Sequence, residues 1–137
     1  MKRSASLLLM ELTIMLLVFA LAAALCVQAF VWADNSSRQS AKEDMALLQA
    51  QNAAEVLKHC RGDLAQATKI HGGNLEGVWT ISYNDQWEIT DGTGVYLLRV
   101  EPVVTEQNFL GQAKLMVRDE AGGVLAELSV CWQEVTP

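Results

Sequence analysis

Proline is scarce in this chain: there are two in 137 residues, Pro102 and Pro137. Nothing in the first hundred positions therefore forces a helix to break at proline. Positive charge is missing from a long stretch as well, with no Lys or Arg between Arg3 and Arg38. Cysteine is limited to three residues. Cys26 lies in an apolar run, so Cys60 and Cys131 are the only pair left for a bridge elsewhere. The chain also lacks a serine-centred nucleophile motif, a phosphate-cradling glycine loop and a matched pair of catalytic carboxylates. No cofactor is implied and the expectation is a protein that is not an enzyme. Internal repeats and low-complexity segments are absent too.

What is present begins with hydrocarbon. Leu7 to Ala33 is almost unbroken apolar sequence, and as a helix it would span roughly 40 Å at 1.5 Å per residue. A bilayer core needs only about 20 residues, and a secretory signal has a shorter apolar region of about 7–15. Lys2 and Arg3 precede the run, Asp34 follows it, and Trp32 stands where an interfacial aromatic belongs. That asymmetry predicts a single-pass helix with its N-terminus in the cytoplasm and the rest outside. The alternative is signal-peptidase cleavage after Val31-Trp32-Ala33, releasing a secreted domain that starts at Asp34. A lipoprotein signal does not fit, because the bulky Leu25 directly precedes Cys26.

Removing the apolar run leaves roughly 100 residues, enough for one modest core. From Asp34 onward eight Lys/Arg face fifteen Asp/Glu, a net charge of −7. Phosphate backbones would repel such a domain, so no direct nucleic-acid binding is expected.

One residue inside the apolar run carries chemistry. Glu11 follows Leu7-Leu8-Leu9-Met10. A carboxylate there costs roughly 2.5–3.5 kcal/mol at mid-bilayer, less near the interface, and calls for a partner. The bland alternative is that Glu11, about 6 Å inside the boundary, reaches back to water.

The segment Met1-Lys2-Arg3-Ser4-Ala5-Ser6, followed by a long apolar helix with Glu at its fifth position, resembles the N-terminus of type IV pilins and type II secretion pseudopilins. The resemblance covers roughly the first 30 residues. It implies a leader of Met1–Ser6, cut by a prepilin peptidase between Ser6 and Leu7, with N-methylation of the new Leu7 amine. It further implies that Glu11 pairs with the N-terminal amine of a neighbouring pilin or pseudopilin subunit, setting axial register in a filament. Ser6 stands where the family usually has Gly, Leu7 where it commonly has Phe or Met, and the proline found within many pilin anchors is absent. A minor subunit of a pilus, secretion pseudopilus or DNA-uptake filament is the function the resemblance implies. A plain single-pass protein whose outer domain binds an envelope partner is the rival.

Beyond the membrane, Asp34-Asn35-Ser36-Ser37 offers either caps for a new helix or a stretch through which the first helix runs on. Ala41, Met45, Leu48, Asn52, Val56, Cys60 and Leu64 recur about every four positions, with Leu47, Ala53 and Leu57 beside them. This predicts an amphipathic helix over about 38–70, fraying at Arg61-Gly62-Asp63 and ending at Gly72-Gly73. From Val78 the period becomes two. Strands are expected at Val78–Tyr83, Gln86–Thr90, Val95–Val104, Leu110–Arg118 and Val124–Gln133. The expected fold class is α+β: a long N-terminal helix packed on an antiparallel sheet of four or five strands.

Several local motifs reduce to structure. Arg61-Gly62-Asp63 reads as a helix end, Asp91-Gly92-Thr93-Gly94 as a turn, and Asn35-Ser36-Ser37 as linker. His59, Cys60, His71 and Cys131 lack paired metal-ligand spacing, so no metal is expected. Trp79, Trp87 and Trp132 are expected to pack between sheet and helix.

Overall fold

The computed structural model describes residues 2–134; Met1, which opens the expected leader, lies outside the described residues, as do residues 135–137. A first helix, α1 (Lys2–His59), is followed by α2 (Leu64–His71) and five strands: β1 (Asn74–Leu75), β2 (Trp79–Tyr83), β3 (Tyr96–Val103), β4 (Leu110–Asp119) and β5 (Val124–Gln133). The strands form one antiparallel sheet in sequential order, β1-β2-β3-β4-β5. The architecture is the expected α+β arrangement of a long N-terminal helix and an antiparallel sheet. Two compact units are divided between Ser40 and Ala41.

In the first unit every described side chain from Arg3 to Ser40 is exposed. The potential caps at Asp34 to Ser37 do not interrupt α1. Asp34 instead pairs with Arg38 one turn on, at 2.9 Å, with both side chains exposed. Such a pair contributes about 0–1 kcal/mol.

In the second unit α1 ends by a Schellman motif. The Gly62 N–H donates to the Leu57 carbonyl and the Arg61 N–H to the Lys58 carbonyl, each at 3.0 Å. This geometry places a left-handed residue after the helix, here Arg61 at φ 52°. Asp63 then caps α2, its carboxylate accepting from the N–H groups of Ala65 (3.0 Å) and Gln66 (3.2 Å). The Arg61-Gly62-Asp63 tripeptide is thus a helix stop followed by a helix start.

The core lies between α1 and one sheet face. Trp79, Ile81 and Tyr83, Tyr96, Leu98 and Val100, and Ala113, Leu115 and Val117 alternate with outward residues along β2, β3 and β4. Against them α1 presents Ala46, Ala50, Ala53 and Leu57. This corrects the expected helix face in part. Of the expected stripe and its flanks, Ala53, Leu57 and Cys60 are buried and Val56 and Leu64 pack against the core, whereas Ala41, Leu47, Leu48 and Asn52 are exposed and Met45 is half-buried. A sheet carrying large side chains is best matched by small ones on the helix, which let the backbones approach. Size and apolarity in the sequence favour Met45 and Leu48 over the Ala46 and Ala50 that face the sheet.

The edge near β2 also differs from expectation. Gln86–Thr90 does not form a strand; only Ile89 bridges to Tyr83. The Asn84 side chain accepts from the Gln86 N–H (3.0 Å) and the Glu88 N–H (2.9 Å), folding the segment on itself. Trp87 takes φ 61°, incompatible with an extended chain, and its ring stacks on Tyr96 at 4.0 Å and 3°. The strand that replaces it is β1, two residues paired with β2. Trp79, fully buried, donates its indole N–H to the Gly72 carbonyl at 2.9 Å, fastening the end of α2 to β2. Trp132 lies half-buried over Gly62 and Gly111, where a Cβ on either glycine would run into the indole.

Candidate assembly site

The residues singled out for assembly all lie on α1. Ser6 and Leu7 flank the expected cleavage bond within helix, and Glu11 lies four residues beyond Leu7. Four residues are one turn, about 6 Å of rise, and helical side chains lean toward the N-terminus. Glu11 therefore projects toward the level of Leu7 on the same side of the helix. Its neighbours Leu7, Leu8, Met10, Leu12 and Met15 are apolar and exposed. No hydrogen bond or ion pair engages the Glu11 carboxylate among the described residues. Thr13, the other polar side chain nearby, satisfies itself by donating to the Leu9 carbonyl at 2.7 Å. By length and composition α1 can cross a membrane, and the apolar part lies uncovered along its whole length, with Phe30 77% exposed.

The two cysteines outside that segment are free thiols. Cys60 is buried among the core residues beside α1. Burial, and secondarily the nearby Asp63 carboxylate, pushes its thiol above the ordinary value. Cys131 is exposed and adjoins the inward-facing Val130 on β5, so it lies on the opposite sheet face. The possible Cys60–Cys131 bridge is accordingly not formed, because the sheet stands between the two thiols. His59 is exposed, and His71 packs edge-on against Trp79 with ring centroids 6.0 Å apart. No group of three metal-ligating side chains occurs among the described residues.

Sequence reasoning missed a second feature of α1. In the second unit the helix has one apolar side against the sheet and another that the sheet leaves open, with Leu48 46% exposed and Leu47 39%. The signal in the sequence is the pair Leu47-Leu48, apolar beside a stripe that already supplies the sheet-facing side. No family model, no curated protein and no solved structure matches this chain.

Proposed function

We propose that the protein is a structural, non-catalytic subunit of a type IV pilin-like or pseudopilin filament, inserted through its N-terminal helix. On this reading Lys2 and Arg3 hold the N-terminus in the cytoplasm, residues 7–33 span the inner membrane, and the sheet domain stands outside. A prepilin peptidase cuts between Ser6 and Leu7, the Leu7 amine is methylated, and Glu11 meets the amine of a neighbouring subunit.

The observation that carries the proposal is the Glu11 carboxylate: one turn past Leu7, on a wholly exposed apolar helix, without a partner among the described residues. An unpaired charge in hydrocarbon is costly, whereas a paired one selects a single stagger between helices. The uncovered apolar side of α1 at Leu47 and Leu48 supports the same reading, since a helix that packs only on its own sheet needs one apolar side.

The test is the N-terminal residue of the protein recovered from its native membrane, read by intact mass and terminal-peptide spectrometry. The expected chain begins at Leu7 with one added methyl. A chain beginning at Met1 would replace the proposal with a plain membrane-anchored binder, and one beginning at Asp34 with a secreted domain.

A further inference from the structure

The two edges of the sheet are built differently. At one edge β1 contributes two residues, and the Thr90 N–H donates to the Ser82 carbonyl at 2.9 Å, so much of β2 is covered. The other edge is β5, ten residues long. Which of its backbone groups are free follows from the ladder. The Glu134 N–H donates to the Phe109 carbonyl at 2.9 Å. In an antiparallel pair, bonded positions recur every two residues. The pairs that face each other across β4 and β5 with bonds are therefore Trp132 with Gly111, Val130 with Ala113, and Leu128 with Leu115. The N–H and C=O groups of Glu127, Ser129, Cys131 and Gln133 point the other way, and no partner meets them among the described residues.

Open edges are ordinarily blunted by lysine, proline or short strands. Val124–Gln133 contains neither lysine nor proline, and its only charge is Glu127. Beside the edge, between α1 and β5, lies a groove of about 400 Å³ whose lining includes Ala54, Glu55, Lys58, Leu128 and Val130. A strand laid along β5 would send alternate side chains into this groove, where Ala54 leaves room and Leu128 and Val130 supply apolar wall.

We propose that the free edge of β5 docks an extended, positively charged segment of a different protein, which joins the sheet as a sixth strand. The unpaired backbone dictates an extended occupant. Charge dictates its sign. In the groove Glu55 stands against Lys58, and on β5 Glu127 is taken up by Lys114 at 2.8 Å, so the sign is set by Glu134 at the strand's end and by the −7 that the chain carries from Asp34 onward. A second copy of the chain, carrying −7 from Asp34 onward, is repelled from the same place. The surface lies entirely in the second unit and does not depend on how α1 is processed or assembled.

The test uses the full chain in neutral-detergent micelles and a fluorescein-labelled peptide of about ten residues alternating valine with lysine, followed by anisotropy. Saturable binding is expected. Ser129→Pro removes one outward N–H without touching the β4 ladder, a position where an edge strand tolerates proline. It should weaken binding about tenfold, while Ser129→Ala leaves it unchanged. Circular dichroism checks the fold of each variant. Independently of any variant, the same peptide methylated on alternate backbone nitrogens keeps its charge and should bind the unaltered protein about tenfold more weakly. Absence of binding, or equal binding of the plain and methylated peptides, would overturn the proposal. So would a sedimenting dimer that Ser129→Pro dissociates, since the occupant would then be a second copy.

Discussion

The two units meet water in opposite ways. The second unit turns Trp79, Ile81, Leu98, Leu115 and Val117 inward and leaves its charges outside, with no buried charged side chain among the described residues. Its environment is complete within itself along most of its surface. Among its described side chains the first unit buries nothing: Leu7 through Trp32 presents apolar side chains in every direction, and one carboxylate among them. One region is stabilised by its own tertiary contacts, whereas the other, apolar enough to cross a membrane, has no such contacts of its own among the described residues. The lesson is that the fold of the second unit and the fate of the first are separable, and variants should divide them.

The sharpest division is expected from Glu11→Ala. On the proposed filament role, membrane insertion should persist and the urea midpoint of the sheet unit should not move, while assembly should be lost outright. Normal assembly of this variant, seen by electron microscopy of sheared material, would remove the role given to Glu11. The converse is Trp79→Ala. Deleting a fully buried indole that also donates to Gly72 should cost the second unit about 3–5 kcal/mol and leave membrane retention intact. Loss of retention would show that the units are not separable.

A smaller effect is expected from Asp63→Ala. Without the carboxylate that accepts from Ala65 and Gln66, α2 loses its cap, at about 1 kcal/mol. Urea unfolding monitored by tryptophan fluorescence measures the difference. The smallest effect is expected from pH. Burial lowers the pKa of His71 from its ordinary 6.5, so the fold favours the neutral ring. That contribution is complete above 6.5 and is lost as pH falls through the lowered value. Burial likewise pushes the Tyr83 phenol from 10 up to about 12, so its contribution is complete below 10 and is lost as pH rises through about 12. His71→Gln should flatten the acid limb of the urea midpoint. An unchanged limb would assign it to other groups.

Much of this was legible in the residues, and the failures have physical causes. Val124–Gln133 was readable to the residue, and the turn that leads into it is made by local chemistry. The Asp119 carboxylate there accepts from the Gly123 N–H at 2.6 Å, and Gly122 adopts φ 86°. Alternation and turn chemistry are local signals and survive folding. Gln86–Thr90 failed because its strand-like composition competes with an Asn84 side chain that bonds its own backbone, and with a ring stack on Tyr96 nine positions away. For the candidate site, Glu11 stands out in the sequence because a charge in a hydrocarbon run needs no tertiary context, whereas Ser6 and Leu7 are named only by what the resemblance to pilins implies. The β5 edge was not found, since an unpaired strand looks like a paired one until its neighbours are known.

The sequence by itself determined that the N-terminal part is helical in both its apolar and its amphipathic stretch, that the first stretch is apolar on all sides, and that alternating strands follow. Those properties depend on period, on the absence of glycine and proline over Ser40–Lys58, and on hydrocarbon content, all written along the chain. Only the tertiary structure decided that Ala46 and Ala50 rather than Met45 and Leu48 meet the sheet. It also placed Cys60 and Cys131 on opposite faces and left β5 at an open edge. Each of these depends on which distant residues fill the space opposite, and close packing settles that only when all of them are in place.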